Sequence, residues 1–188
     1  MRIPRVASSL YYAKFKDLSK FLLLNVYAPN IEAEHASFLS KISELLFDFQ
    51  DDPIDYILTE GDWNFTENNE IDRLGGNPKQ WRTSCNSMIA IKESFDLVDF
   101  WRVKFPDVQK FTWKSLFRGI HSRIDRFYGS DSLQPLLESV EILPSIYSDH
   151  SIVQISIKGG EFTRGPGMWR FNNSLLRNAE YTNEIKKN

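Results

Sequence analysis
Cysteine is nearly absent: one thiol, Cys85, stands among 188 residues. A single cysteine closes no intrachain disulfide and builds no cysteine-rich zinc site, which excludes a disulfide-stapled secreted scaffold. A reducing setting inside the cell, nuclear or cytoplasmic, is the expectation. Long apolar runs are missing too. Phe21 to Leu24 is already interrupted at Asn25, far short of the ~18 to 20 apolar residues that cross a bilayer. Arg2 and Arg5 are followed by Ser8, Ser9, Lys14 and Lys16 rather than an apolar stretch, so neither a signal peptide nor a membrane partner is expected. Neither sign of charge dominates: 23 basic against 25 acidic residues leave a net charge of −2. Any polyanionic partner must therefore be met by local charge. No internal repeat and no low-complexity segment occur.

The remaining composition, 41% hydrophobic, 14% aromatic and 26% charged, is that of an ordinary globular domain large enough to bury a core. Phe21 to Ala28 (FLLLNVYA) reads as a strand buried on both faces and closed by Pro29-Asn30. In Glu34 to Gln50, Phe38, Ile42, Leu45, Leu46 and Phe49 recur at helical spacing, which predicts an amphipathic helix packed on that strand. Asp55 to Glu60 predicts a second strand, and Pro78 to Glu93 a second helix. Lys110 to Ser115, Arg123 to Tyr128, Val140 to Leu143 and Ile152 to Ile157 read as further short strands. From Gly159 the chain turns to glycine, proline and charge, so a domain over 1–158 and a connector or tail over 159–188 are expected.

Charge is unevenly placed. Residues 48–72 hold nine acids and no Lys or Arg, whereas 73–126 hold eleven basic residues against five acids, with Trp81, Trp101, Phe111, Trp113 and Phe117 among them. Basic residues interleaved with aromatics suit a nucleic-acid backbone and its bases. The same blocks also read as solvated faces of a mixed surface.

Three short motifs stand at the ends of strand-like runs: Gly61-Asp62-Trp63-Asn64, Ser122-Arg123-Ile124-Asp125 and Ser148-Asp149-His150. A carboxylate beside an amide can orient a water and hydrogen-bond a phosphoryl oxygen. An Asp-His pair can move a proton, and a further carboxylate can fix the imidazole tautomer. Singly, Gly61-Asp62 reads equally as a turn, Asp125 as the partner of Arg123 or Arg126 in a surface ion pair, Ser148-Asp149-His150 as a cap or loop, and Tyr27 as core. Jointly, they describe phosphoester hydrolysis.

In this order, with Leu24-Asn25-Val26-Tyr27-Ala28-Pro29-Asn30 ahead of them, the motifs resemble the successive blocks of the endonuclease/exonuclease/phosphatase superfamily. Asp99-Phe100-Trp101-Arg102, Phe111-Thr112-Trp113 and Trp169-Arg170-Phe171-Asn172-Asn173-Ser174-Leu175-Leu176 resemble one branch of it, the apurinic-type endonuclease domain of LINE-type retrotransposons. Trp63, where the family more often has Phe, and Arg126, where Tyr is frequent, are departures from the pattern.

The resemblance implies an α/β (α+β) fold, a two-sheet sandwich flanked by helices, and a Mg²⁺- or Mn²⁺-dependent phosphodiesterase that cuts DNA. His150 would act on the scissile phosphate with Asp125 orienting its ring. Asp62 would orient or activate water, Asn64 would hold a phosphoryl oxygen, Tyr27 and Asn30 would line the substrate side, and Asp149 would help hold the metal or orient its neighbours. A reverse transcriptase domain would follow in the full element. The family also has an N-terminal stretch with a metal-binding glutamate that the sequence before Tyr27 does not show. The expectation is therefore a truncated domain missing its first strands, with an unpaired edge at 21–28, marginal folding, weakened metal affinity and reduced activity. An inactive remnant that at most binds nucleic acid, or a phosphatase of the same superfamily, are the alternative readings.

Overall fold
A computed structural model describes residues 7–14, 20–49, 54–77, 80–115 and 117–158. The expected connector from Gly159 onward, with its Trp169–Leu176 stretch, lies outside the described residues. The first two strands, β1 (Ala7–Lys14) and β2 (Lys20–Tyr27), pair antiparallel along their whole length, with Ala7 opposite Tyr27 and Lys14 opposite Lys20. This corrects the expectation of an unpaired edge at 21–28, because β1 satisfies the backbone of β2 on that side.

β2 leads into helix α1 (Glu32–Phe47), which crosses back to β3 (Tyr56–Asp62) parallel to β2, the connection that a parallel pair requires. Phe38, Leu39, Ile42 and Leu46 of α1 are buried and share one core cluster with Leu22, Leu24 and Val26 of β2. Truncating one of these leucines to alanine costs about 2–5 kcal/mol in such a setting. The opposite face of β2 is buried only at its start. Phe21 is buried, but Asn25 and Tyr27 are exposed, which corrects the reading of a strand covered on both faces.

Helix α2 (Asn69–Asp72) and strand β4 (Arg73–Leu74) follow, then α3 (Arg82–Ser94), which packs on α1. β5 (Leu97–Asp99) runs directly into α4 (Phe100–Lys104), whose first turn is capped by the Asp99 carboxylate accepting from the amides of Trp101 and Arg102. β6 (Trp113–Lys114) and β7 (His121–Ser122) form a small hairpin, and β8 (Asp125–Ser130) enters the main sheet. A 3-10 turn leads into β9 (Leu137–Leu143), which pairs with β10 (Ile152–Ile157).

The main sheet has the order β1-β2-β3-β8-β5, with helices α1 and α3 on one face. The β9–β10 pair covers the other face through Leu137, Val140 and Ile142, together with Phe21, Phe100 and Trp101. A three-stranded sheet, β4-β7-β6, is added to the two expected. No helix among the described residues is long and apolar enough to cross a membrane.

The acidic and basic blocks largely satisfy each other. Arg123, 1% exposed, pairs with Asp72 at 2.7 Å and with Asp99 at 2.8 Å, and Arg102 also meets Asp72. Arg126, equally buried, donates to the carbonyls of Phe65 and Arg123 and to the Tyr128 hydroxyl, which in turn meets Glu67; Lys92 reaches Glu67 at 2.6 Å. Burial alone would raise the Glu67 carboxyl, but Arg126 and Lys92 outweigh it and hold the group below its ordinary value. Asp72 is likewise held low by Arg123 and Arg126 against the push of burial. Arg123 and Arg126 are thus neither surface partners of Asp125 nor part of an exposed basic face. Lys104, Lys110, Lys114 and Arg118 remain exposed.

Candidate active site
Three adjacent strands carry one row of residues across the main sheet. Tyr27 of β2 lies opposite Asp62 of β3, and Asp62 lies opposite Asp125 of β8. Gly61 makes this row possible. Its φ is +130°, and a Cβ there would sit 1.9 Å from the Val26 carbonyl oxygen, so only glycine lets β3 approach β2 this closely one residue before Asp62. Because β8 runs antiparallel to β3, Asp125 stands at the start of its strand. His150 lies just before the start of β10. Asp62 thus stands at the C-terminal end of its strand, and Asp125 and His150 stand at the starting ends of theirs.

The Asp62 carboxylate accepts from the Asn64 amide at 2.9 Å. Asn64 adopts a left-handed φ of 54°, which an Asn tolerates better than most residues, and its Nδ2 donates to the Ala28 carbonyl at 2.8 Å. The second Nδ2 hydrogen is left for a ligand. His35, fully buried, bridges the Pro29 carbonyl and the Ser84 hydroxyl, which steadies the loop carrying Asn30. Tyr27 is 52% exposed, and Asn30 is exposed on that loop.

His150 Nδ1 lies 3.0 Å from one oxygen of Asp125 and 3.2 Å from the other. An ionised carboxylate fixes the proton on Nδ1 and leaves Nε2 as the second functional nitrogen. That hydrogen bond raises the imidazole above its ordinary value, assisted by the charges of Asp125, Asp62 and Asp149 and opposed by partial burial. Burial, reinforced by the nearby Asp125 charge, pushes Asp62 up to about 6. One ligand atom each from Asp62, Asp125 and His150 lie within 4.8 Å of one another. Asp149 is engaged with the neighbouring strand. Its Oδ2 accepts from Trp113 Nε1 at 2.9 Å and its carbonyl from the Lys114 amide at 3.0 Å, so it tethers the β6 hairpin beside His150.

One positioning residue escaped sequence reasoning. The Oγ1 of Thr112, a fully buried residue, accepts from the amides of both Ile124 and Asp125 at 3.0 Å each, and its carbonyl accepts from the Ser151 amide at 2.6 Å. Thr112 therefore holds the Asp125 segment and the His150 segment against one another. Nothing in a Phe-Thr-Trp triplet signals this, since both partners lie more than ten residues away in sequence.

No protein-family model matches the chain. An uncharacterised 149 kDa protein of transposon TX1 from Xenopus laevis is 30% identical over 167 residues, which is 87% of this chain and 12% of that protein. Among solved structures, the AP endonuclease LMAP of Leishmania major superposes with a TM-score of 0.69 at 17% identity, covering 80% of this chain and 54% of that one. The 3'-5' exonuclease NExo of Neisseria meningitidis superposes with a TM-score of 0.65 at 18% identity over 80% of this chain and 65% of its own. A variant of the 3' phosphatase NExo from Neisseria, bound to product DNA hairpin, gives the same TM-score at 17% identity. The fold is the one that these AP endonuclease and exonuclease structures share. Within it, Asp62, Asp125 and His150 gather where the main sheet meets the loop before β10, and the chain spans only about 12% of the transposon protein that it matches in sequence.

Proposed function
We propose that the chain is a divalent-cation-dependent phosphodiesterase domain of a transposon-type protein, acting on DNA. The observation that carries this is the convergence of Asp62, Asp125 and His150 on one point, with the imidazole held by Asp125. A carboxyl at about 6 is ionised at neutral pH yet basic enough to take a proton from an attacking water, which is the role assigned to Asp62. His150, its charged form favoured, would stabilise the negative phosphoryl centre or protonate the leaving oxygen. Asp125 holds the ring, Asn64 offers its spare amide hydrogen to a phosphoryl oxygen, and Tyr27 and Asn30 border the substrate side.

A cation fits the donor set. Two carboxylates close enough for one to raise the other carry negative charge that His150 offsets only in part, and hard oxygen donors suit Mg²⁺ or Mn²⁺. Such an ion would neutralise charge developing on the phosphoryl oxygens. No glutamate joins this cluster among the described residues, so few protein ligands would hold the ion and its affinity would be modest. Asp149, engaged with Trp113, would act on the site through its charge.

DNA is favoured over a small phosphoester by the exposed Lys110, Lys114 and Arg118 around the β6–β7 hairpin. We further assign residues 1–158 to this domain and 159–188 to a connector toward a reverse transcriptase in the longer protein. Incubation of the purified chain with supercoiled plasmid tests the function. Nicking that requires Mg²⁺ or Mn²⁺ and stops with chelator is expected, and intact plasmid with every divalent cation tried tells against the proposal.

A further inference from the structure
Two large side chains immediately before Ser148-Asp149-His150 are left almost wholly in water: Ile146 is 87% exposed and Tyr147 is 94% exposed. Isolated exposed apolar residues are common, but two consecutive ones on a built turn next to a reactive centre are not explained by packing. The turn is constrained by side-chain hydrogen bonds, with Ser145 Oγ accepting from the Tyr147 amide at 3.2 Å and Ser148 Oγ accepting from the His150 amide at 3.0 Å. These residues are therefore held out at a fixed place. Tyr147 is three residues from His150, so the two Cα atoms are at most about 11 Å apart.

The neighbouring strand sets the surroundings. Trp113 bridges antiparallel to His150, and the Lys114 amide donates to the Asp149 carbonyl. In that antiparallel register, the chain leaving β6 after Lys114 runs in the same direction as the chain traced backward from Asp149 to Ile146. Exposed Lys114, tied through its amide to Asp149, thus adjoins the segment that leads back to Ile146 and Tyr147, and exposed Arg118 follows it four residues on. An aromatic ring beside cations matches a nucleotide, with a base on the ring and a phosphate on the cations.

We propose that Tyr147, backed by Ile146, is a stacking platform for a nucleic-acid base flanking the phosphodiester bond addressed by His150. The platform reads no base edge. It contributes affinity and placement, and it requires the flanking base to leave its own stack. The proposal rests on the phosphodiesterase reading above, which it extends to a specific contact with the polymer.

The test is steady-state nicking of supercoiled plasmid by the 188-residue chain and its Tyr147→Ala, Tyr147→Phe, Lys114→Ala and His150→Ala variants over a range of salt concentrations. Loss of one stacked base corresponds to about 5- to 150-fold. Tyr147→Ala should raise KM by that factor with kcat nearly unchanged, and Tyr147→Phe should stay within about twofold of the parent. The salt dependence of KM should be unaltered in Tyr147→Ala and shallower by about one unit of logarithmic slope in Lys114→Ala, which removes a phosphate contact. Parental KM in Tyr147→Ala overturns the platform while leaving the phosphodiesterase reading intact. Nicking that persists in His150→Ala, or a parent that does not nick at all, overturns the underlying reading and the platform with it.

Discussion

Replacing Asp62 by asparagine should stabilise the metal-free protein at pH 7.5 while ending hydrolysis. In the folded chain, burial and the Asp125 charge raise Asp62 from 3.8 to about 6, so ionising it costs free energy that the unfolded chain does not incur. About two pKa units correspond to a ceiling of roughly 3 kcal/mol. Asp62 is only partly buried, and water screening reduces this to about 1–3 kcal/mol. At about 2–4 °C per kcal/mol for a chain of this size, Tm should rise by roughly 2–12 °C. Asparagine keeps the oxygen that accepts from the Asn64 amide, so the local turn survives. The sign of the pH dependence is fixed. Below the unfolded value both states are protonated and the variant gains nothing; the gain grows between about 3.8 and about 6 and is constant above that. Thermal melts in chelator at pH 3.5, 5 and 7.5 measure it, and Mg²⁺ should raise Tm in the parent but much less in the variant. A variant less stable than the parent at pH 7.5, or a gain equal at pH 3.5 and 7.5, would refute the electrostatic account of this site.

Thr112→Val keeps the shape of the side chain but strands the amides of Ile124 and Asp125, so urea unfolding should show a loss of roughly 2–4 kcal/mol, with nicking falling as the Asp125–His150 pair loosens. Gly61→Ala places a methyl group against the Val26 carbonyl at a φ of +130° and should cost roughly 3 kcal/mol or more, read as a lowered urea midpoint. The imidazole of His150 should titrate above 6.5 by NMR, and Asp125→Asn should return it toward that value. Because the folded value is raised, the stability contributed by this pair is present below 6.5 and is lost as pH rises through the folded value.

The sequence was most informative where local pattern and tertiary demand coincide. The apolar run from Phe21 predicts β2 because its alternate residues Leu22, Leu24 and Val26 all lie in the core cluster that the buried face of α1 shares, and Ile152–Ile157 is the strand expected. β1 went unread because Ser8, Ser9 and a tyrosine pair give Ala7–Lys14 no clear two-residue period, and its pairing is supplied by β2. The helix at Phe100 went unread, since its five residues are too short for a helical period and its Asp99 cap shows only in the fold. Arg123 and Arg126 looked like surface charges because their acidic partners lie tens of residues away; only the fold shows that Asp72, Asp99 and Glu67 neutralise them in the interior. The candidate site was legible as three motifs, since each carries its reactive side chain within four residues. The tether through Thr112 and the bond from Trp113 to Asp149 are contacts between segments that no local pattern encodes.

The central claim is that Asp62, Asp125 and His150 form one hydrolytic centre, and the rate of Mg²⁺-dependent plasmid nicking by His150→Ala against the parent tests it most directly. The side chain is partly exposed, so the change should leave the fold intact by circular dichroism. Removing a positioned proton-transfer group costs about 10²- to 10⁴-fold, and a fall in that range is the result expected. Nicking by a folded His150→Ala protein at near-parental rate would place the chemistry elsewhere and contradict the account.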